Sequence, residues 1–355
     1  MKTKLTFIFL IFGAFIFLGA GCLVQFNNAG GGAKADGGIF KSIDKGATWL
    51  PKSSLASVAG GKTIANINIK SLIMDPDDSK AIYALAAEGG VYYTYDAAES
   101  WNKISALGNT VVNAFLVDER NKCVLFSAAG NKVQKSIDCG RTWANVYLDS
   151  RVTQSITALA QNPFNGNLIY LGTSAGDLIK SLDSGASWSP VNVFPARITK
   201  IVPDLYESGT LYVGVSGRGV SKSLNNGDTW KDLSDSFSQY QNSNQIVDLV
   251  PSVATRDVYF HASRFGLLKT VNAGGTWQKI ELLTPPGTTS IYSLAVDPKD
   301  DNIIYYSTGS TFYKSTDGGL KWVTKKLPTS RVAAALLIDP VSTGVIYMGA
   351  LKLQK

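Results

Sequence analysis

The side chains that could do chemistry in this 355-residue sequence are its acids, one histidine and a few arginines. A glycosidase needs two carboxyl groups that flank the bond it cleaves, and the sequence has 27 Asp and Glu residues. Most of these acids fall in short polar turns between apolar segments, where a carboxylate usually accepts hydrogen bonds from the turn backbone. The acids alone therefore identify no catalytic pair.

His261 is the only histidine, and it follows Tyr259 and Phe260 in an apolar segment. A single histidine in a strand more often forms a structural hydrogen bond than acts as a base or a ligand. One histidine and three separated cysteines provide no cluster with metal-ligand spacing. We expect no metal and no cofactor.

The elements that position these side chains are set by an eight-residue motif that occurs seven times. It reads Ser/Thr-x-Asp/Asn-x-Gly-x-Thr/Ser-Trp and recurs every 42 to 52 residues; only Ala98 and Lys321 depart from it. The Asp or Asn oxygen can accept backbone hydrogen bonds in a tight turn, and glycine permits a positive φ. The turn residue and the tryptophan of each copy are Asp44 and Trp49, Asp96 and Trp101, Asp138 and Trp143, Asp183 and Trp188, Asn225 and Trp230, Asn272 and Trp277, and Asp317 and Trp322.

A second pattern runs in phase with this motif. An apolar segment ends at Asp297 or its equivalent, and an aromatic residue follows eight positions later, here Tyr305. Each unit predicts four antiparallel strands A to D, which is typical of a propeller blade. In this unit the predicted strands are Ser293–Val296, Ile303–Ser307, Phe312–Ser315 and a strand from Trp322.

The two ends of the array complement each other. Gly38–Trp49 provides strand C and the motif without strands A and B, whereas Val332–Ile338 and Val345–Ala350 provide A and B without C and D. Joined, they complete a blade and remove the exposed sheet edges of an open array. The sequence thus predicts an all-β, seven-bladed propeller of four-stranded antiparallel blades over residues 37–355, closed by pairing N-terminal strands C and D with C-terminal strands A and B.

Residues 1–21 have the pattern of an export signal, with Lys2 and Lys4 before an apolar run. The sequence GAGC resembles a lipoprotein signal in which Cys22 is lipidated; an uncleaved anchor and ordinary secretion are the alternatives. Residues 22–36 are rich in Gly, Ala and Asn and read as a flexible tether. We expect the domain on the extracytoplasmic side of the cell envelope, tethered to the membrane by a lipid or an anchor.

The formal net charge of +7 is modest for this length, and Lys2 and Lys4 contribute part of it. The sequence therefore gives little reason to expect a nucleic-acid partner. We expect a monomer.

Cys123 opens strand B of its unit, and Cys139 follows the end of strand C. With a two-residue turn at Gly130 and Asn131, position 123 faces position 138. We expect a Cys123–Cys139 disulfide; two free buried thiols are the alternative.

The arginines indicate which face binds a partner. In an up-and-down blade the A–B and C–D turns lie on one face of the disc, and the B–C turns and D–A segments lie on the other. The D–A segments include the longest loops, Lys52–Ile67 and Ser234–Gln245, and loops on a rigid scaffold often bind ligands. Guanidinium groups there suit an acidic or carboxylate-bearing partner, although they also read as solubilising charges offset by nearby acids. The candidate partner-binding residues are Arg151, Arg197, Arg218, Arg264, Arg331 and Tyr240.

The eight-residue motifs resemble the Asp-box, or bacterial neuraminidase, repeats of sialidases, sortilin-type receptors, xyloglucanases and photosystem II assembly-factor propellers. The last group is the most similar, in its single-domain size and in the phrase DP…IYxGT…G(G)xxKSxDGGxTW. The resemblance covers residues 37–355 and rests on structural motifs, so it implies the fold strongly. The role that it implies is extracytoplasmic assembly or partner binding.

The resemblance also bears on whether the protein is an enzyme. Sialidases carry an Arg-Ile-Pro segment near the first blade, and the nearest string, PARITK at Pro195–Lys200, lies in a later blade and lacks that proline. Xyloglucanase-type enzymes pair two propellers around a cleft, and this sequence has one. We therefore expect a non-catalytic module that presents one face to a protein or glycan partner. The alternative is a sialidase-like or xyloglucanase-like glycoside hydrolase, or a carbohydrate-binding propeller.

Overall fold

The computed structural model describes residues 36–56 and 61–353. Over these residues seven four-stranded antiparallel sheets form a ring, a seven-bladed β-propeller, with 3-10 helices only at Ser105–Leu107 and Ser234–Phe237. Within the described part of the chain no helix combines the length and the apolar character needed to cross a membrane. The predicted export signal, Cys22 and nearly all of the predicted tether lie outside the described residues.

Each blade runs from an inner strand A to an outer strand D. The strands of the closing blade's outer half are β1 (Gly38–Ser42) and β2 (Leu50–Pro51). Six blades are continuous in sequence. The first is β3 (Ile69–Met74), β4 (Ile82–Ala86), β5 (Val91–Thr94) and β6 (Asn102–Lys103); the second is β7 (Ala114–Asp118), β8 (Asn121–Ala129), β9 (Lys132–Ser136) and β10 (Ala144–Leu148); the third is β11 (Ile156–Asn162), β12 (Asn165–Thr173), β13 (Asp177–Ser181) and β14 (Ser189–Val193). The fourth is β15 (Ile198–Pro203), β16 (Leu211–Val215), β17 (Gly219–Ser223) and β18 (Lys231–Asp232); the fifth is β19 (Ile246–Pro251), β20 (Tyr259–Ser263), β21 (Leu267–Thr270) and β22 (Gln278–Ile280); the sixth is β23 (Ser293–Asp297), β24 (Asp300–Ser307), β25 (Thr311–Ser315) and β26 (Val323–Lys326). The inner half of the closing blade is β27 (Val332–Ile338) and β28 (Ile346–Leu351).

The closing blade confirms the predicted joining of the two ends. Strand β1 pairs with β28 from Gly38↔Ala350 to Ser42↔Ile346, and its other edge pairs with β2. The side chain of Ile39 is fully buried in the core between this blade and the next. Buried apolar groups and ladder hydrogen bonds therefore hold the ring shut, and the edge of β28 is covered.

The seven eight-residue motifs, which we call Asp boxes for their resemblance to that repeat, form the tight turns that their sequence predicts. In the first box the Ser42 hydroxyl bonds to Asp44 Oδ1 at 2.7 Å and accepts the Gly46 N–H at 2.8 Å, while the Thr48 N–H donates to Asp44 Oδ1 at 2.8 Å. Gly46 has a φ of 81°, a left-handed conformation that glycine adopts at little cost. The Asp44 carboxylate and the Ser42 hydroxyl thus accept hydrogen bonds from backbone N–H groups that have no strand partner at the turn.

The core lies mainly between adjacent blades. For example, Phe260 of β20 shares a buried cluster with Ile304 and Tyr306 of the next blade. Each such side chain contributes about 1.5–3 kcal/mol of hydrophobic stabilisation when it is buried. A blade on its own would expose these faces, so the ring folds as one unit.

Candidate functional site

The propeller has two chemically different faces. In every blade the backbone N–H of the fourth Asp-box residue donates to a carbonyl of the same blade's A–B turn or of the third residue of its strand B, which places the box and the A–B turn on the same side. We call this side the Asp-box face, and the opposite side, formed by the B–C turns and D–A segments, the loop face. The seven bonds join Lys45 to Gly344, Ala97 to Lys80, Cys139 to Cys123, Ser184 to Asn167, Asn226 to Gly209, Ala273 to Asp257 and Gly318 to Asn302.

The Asp-box carboxylates are structural acceptors. Hydrogen bonds from the Thr48 hydroxyl and amide lower the pKa of Asp44 to about 2. The pKa values of Asp138 and Asp183 are lowered to about 2 in the same way, by Thr142 and Ser187. A carboxyl group that stays ionised and fully engaged in its turn is a poor proton donor.

Two of the five candidate arginines are held by other residues. Arg151 Nη2 lies 2.7 Å from Asp149 Oδ2 and 2.6 Å from Asp177 Oδ2, so it bridges two carboxylates. The Arg331 guanidinium donates to Asn68 Oδ1 at 2.7 Å and to the carbonyl of Ile67 at 3.3 Å. Both side chains fix loops: Arg151 is offset by two acids, whereas the Arg331 guanidinium bonds to neutral oxygen atoms.

The other three candidates, Arg197, Arg218 and Arg264, are exposed on the loop face. Across the two described ranges their guanidinium groups have neither a hydrogen-bond nor an ion-pair partner, in contrast to Arg151. Their main chains are fixed: the Arg197 carbonyl accepts the Ser216 N–H at 2.9 Å, and the Arg264 N–H donates to Gln245 at 3.1 Å. These three arginines present unneutralised positive charge on an ordered backbone.

Tyr240 is half-buried, and His261 is fully buried. Tyr240 packs on Phe265, and its hydroxyl donates to the carbonyl of Trp277 at 3.1 Å, so its ring is not a free platform for a ligand. His261 is fully buried, and its Nε2 lies 2.7 Å from the carbonyl oxygen of Ser243. The histidine therefore anchors the D–A segment that contains Tyr240.

We expect His261 to make folding acid-sensitive. Burial lowers its pKa, so the folded protein keeps it neutral while the unfolded chain binds a proton below pH ~6.5. The free energy of unfolding should fall as the pH drops below that value, until the folded-state pKa is reached. Denaturant titrations of the wild type and His261→Gln between pH 8 and 5 measure this contribution. Parallel pH profiles for the two proteins would contradict it.

The loop face has a cavity of about 660 Å³ between the fourth, fifth and sixth blades. Arg264 stands at this cavity, and most of the other lining groups are hydroxyls and amides. Such a wall can donate hydrogen bonds to, and accept them from, a hydroxyl-rich ligand. The polar lining residues are Ser216, Gln245, Ser263, Thr288, Thr289 and Ser290.

A second cleft of about 410 Å³ runs between the outer strands of the second and third blades and reaches the loop face at Asp149–Arg151 and Asp177. Tyr147 and Trp188 line it and meet at a ring-centroid distance of 5.8 Å. Arg151 with its two carboxylates lines the same cleft. Side-chain hydrogen bonds from Arg151 lower the pKa of Asp149, so this acid is held in its ionised form. The cleft combines aromatic surface with fixed charges.

One described carboxyl group has a raised pKa, that of Glu119, because of its burial and the nearby Asp118. It lies in an A–B turn, and therefore on the Asp-box face. In the part of the chain that the structure describes, no group of three or more His, Cys, Asp or Glu side chains could hold a metal ion.

The structure brings Cys123 and Cys139 together, with their Cα atoms 3.8 Å apart and their sulfur atoms within bonding distance. The pairing of β8 with β9 ends at Ala129↔Lys132, so the turn is at Gly130 and Asn131, as the sequence predicts. The disulfide stays a prediction. In unreduced, denatured protein we expect neither cysteine to react with a thiol reagent, and labelling of both, read by mass spectrometry, would exclude the bridge.

Sequence reasoning missed the charges of the central channel. Lys200 and Asp248, from β15 and β19, form an ion pair at 2.5 Å. These residues meet from different blades, so no spacing in the sequence identifies them.

No family model matches the chain. A stretch of 157 residues, 38% of this chain and 19% of the relative, is 27% identical to a xyloglucanase of Hypocrea jecorina (strain QM6a). Another stretch of 161 residues, 44% of this chain and 13% of the relative, is 25% identical to a xyloglucanase of Paenibacillus sp. The chain thus spans less than a fifth of the length of the curated relatives it matches.

Solved structures share the propeller fold. The GH74 xyloglucanase from Xanthomonas campestris matches with a TM-score of 0.66 and 21% identity, over 80% of this chain and 51% of that one. YCF48 bound to D1 peptide matches with a TM-score of 0.60 and 15% identity, over 81% and 94%. The extracellular domain of a B. thetaiotaomicron one-component system matches with a TM-score of 0.59 and 13% identity, over 81% and 42%.

These relatives contradict the expectation that the chain is not an enzyme, because the curated proteins that it matches are xyloglucanases. That expectation rested on the absence of a sialidase segment and of a second propeller. Asp boxes and turn acids determine the fold, which enzymes and binding proteins share. Their presence gave no basis for excluding catalysis.

Proposed function

We propose that this chain is a polysaccharide-directed propeller of the xyloglucanase type, which binds a β-glucan such as xyloglucan on its loop face and takes part in its hydrolysis. The sequence matches to two xyloglucanases are the observation that carries this proposal. The predicted export segment and the extracellular structural neighbour support a site of action outside the cytoplasm.

The loop face suits such a substrate. The 660 Å³ cavity offers hydroxyls, an amide and Arg264 to sugar hydroxyl groups, and the 410 Å³ cleft adds aromatic surface. Glycan sites combine a few placed polar groups with apolar surface in this manner. The Asp-box face offers turn acids that are engaged in their own hydrogen bonds.

The proposal is tested with the purified full chain and soluble xyloglucan. We expect retarded migration in xyloglucan-containing native gels and release of reducing ends. Reversing Arg197, Arg218 and Arg264 to Glu should weaken binding at least about tenfold, roughly 1.4 kcal/mol, with an unchanged melting temperature. A matched control reverses Asp77, Asp300 and Asp228 of the Asp-box face to Lys. Wild-type protein that neither binds nor cleaves the polysaccharide, or an equal loss in the control, would refute the proposal.

A second candidate is recognition of an acidic peptide on the same face. The three unpaired arginines favour it, because guanidinium groups bind carboxylates bidentately. The match to YCF48 bound to D1 peptide covers nearly all of that chain, which is of single-propeller size. A Glu-rich peptide that competes with xyloglucan would place both ligands at one site, and a peptide bound by the triple arginine variant would argue against this candidate.

A further inference from the structure

The 660 Å³ cavity of the loop face is held in shape by hydrogen bonds between its walls. The Asn244 side-chain amide donates to the carbonyl of Gly217 at 2.9 Å, which ties the B–C turn of the fourth blade to the segment that enters the fifth. The Arg264 N–H donates to the carbonyl of Gln245 at 3.1 Å, and the carbonyl of the residue after Arg264 accepts the Gly287 N–H at 3.0 Å. Because these bonds join the turns and segments that surround the opening, the cavity is formed before a ligand binds.

The three unpaired arginines of the loop face lie in or beside this cavity. Arg264 is one of its lining residues, and Arg218 directly follows Gly217, which is another. The Arg197 carbonyl accepts the N–H of Ser216, a third lining residue, at 2.9 Å. All three arginines are exposed. The fold therefore brings three positively charged residues from two blades to one cavity.

No acid lines this cavity in the part of the chain that the structure describes, and acids of two neighbouring strands are engaged elsewhere. Asp248 of β19 pairs with Lys200 at 2.5 Å. Asp232 of β18 accepts the N–H and the hydroxyl of Ser234 at 2.8 and 2.6 Å. Positive charge in a concave site attracts anions. An anionic ligand would supply the counter-charge that the cavity lacks.

The rest of the polar wall is neutral. Ser216, Thr289 and Ser290 provide hydroxyl groups, and Gln245 provides a side-chain amide. Such groups suit the hydroxyls of a sugar ring, whereas guanidinium groups bind carboxylates through two N–H donors. A neutral sugar would leave the arginines without a partner, and a sugar that carries a carboxylate uses both kinds of group.

We propose that this cavity recognises uronic acid residues of a glycan, with its hydroxyls and amide on the sugar ring and its arginines on the carboxylates. The inference rests on the proposed polysaccharide function and names a substrate class within it, a β-glucan in which some sugar units are oxidised to uronates. Arg264 binds a uronate in the cavity, and Arg197 and Arg218 attract the carboxylates of the units that extend from it.

Two oligosaccharides that differ only at C6 test the proposal: cellotetraose, and the same tetramer with each C6 oxidised to a carboxylate. Calorimetric titration of the full chain, at an ionic strength held constant with sodium chloride, should show at least about tenfold tighter binding of the oxidised tetramer. Replacing Arg197, Arg218 and Arg264 by Gln should remove this preference, because the three changes leave the hydroxyls and the amide in place.

The matched control changes Arg120, Arg141 and Arg256 to Gln, which removes three positive charges from the Asp-box face and should retain the preference. The proposal is overturned if the wild type does not bind the oxidised tetramer more tightly than cellotetraose, if the loop-face variant keeps the preference, or if the control loses it equally. Tetraglutamate that binds as tightly as the oxidised tetramer would also overturn it, because the sugar ring would then contribute nothing.

Protection from chemical modification locates the site without any substitution. The oxidised tetramer should slow the reaction of phenylglyoxal with Arg264 and leave that with Arg141 unchanged, as mass spectrometry of digests can measure. Protection of both arginines, or of neither, would overturn the cavity as the site. Binding of xyloglucan is measured separately in native gels. If the protein binds xyloglucan without preferring the oxidised tetramer, only this inference fails; if it binds neither xyloglucan nor either tetramer, the proposed function fails with it.

Discussion

Replacing Ile39 by Asp is expected to prevent stable closure of the ring. Ile39 lies in β1, pairs with Gly349 of β28, and is 0% exposed. A carboxylate there would lose the apolar contacts and be buried without a counter-charge, which costs about 4 kcal/mol or more. The melting temperature should fall by about 8–16 °C, or the variant should aggregate, since the strand edge of β28 becomes available.

The matched control is Ile43→Asp, four residues later in the same segment, where the side chain is 69% exposed. This change should leave the melting temperature within about 2 °C, because surface substitutions usually cost less than 0.5 kcal/mol. Deletion of residues 35–50 should cause unfolding or aggregation for the same reason as Ile39→Asp. Wild-type melting of the deletion or of the Ile39 variant would show that the ring does not depend on this pairing.

Gly319→Ala is expected to be the second most damaging change. Gly319, the fifth residue of its Asp box, has a φ of 94°, and a Cβ there would lie 2.2 Å from Ile280 Cγ2 in the preceding blade. The left-handed conformation costs roughly 1–2 kcal/mol for a side-chain-bearing residue, and overpacking costs roughly 1–3 kcal/mol more. Denaturant unfolding should therefore show a loss of about 2–5 kcal/mol.

Substitutions at two other glycines separate the conformational cost from the steric cost. Gly140 occupies the same box position with a φ of 84°, but a Cβ there would come no nearer than 3.5 Å to any atom outside its turn. Gly140→Ala should cost only the conformational part, about 1–2 kcal/mol. Gly309 has open space around its Cβ position, and Gly309→Ala should be close to neutral. Equal losses at positions 140 and 319 would refute the steric argument.

The fold could be predicted from the sequence because the residues that determine it are local. A Ser or Thr, an Asp or Asn and a Gly within five positions fix each turn, and the seven copies give the number of blades. The complementary ends required the pairing of β1 with β28, which the structure shows. Ala98, which breaks the motif, still adopts a φ of 70°, so the surrounding turn imposes the conformation.

The site was less predictable because its contacts join distant blades. Sequence reasoning placed Arg151 and Arg264 on one face and named Asp149 and Asp177 among the acids that could offset such charges, but it did not indicate the hydroxyl-lined cavity beside Arg264. Tyr240 was expected to face a partner, and it packs inward because its hydroxyl reaches the Trp277 carbonyl. These contacts depend on side-chain rotamers and on neighbours from other blades, and the spacing of residues along the sequence reveals neither.

The pairing of β1 with β28 has a consequence for the order of events during synthesis. The two strands are separated by roughly 300 residues of chain, and closing a loop of that length costs only roughly 2 kcal/mol more than closing one of blade size. The entropy of loop closure therefore opposes this pairing only weakly, and the order in which the strands are synthesised matters more. Strand β1 is synthesised before the other strands of the ring, and its partner β28 is synthesised after all of them. Until then the buried face of β1 and the open ends of the ring stay exposed, so the closed ring becomes accessible only once β28 has been made.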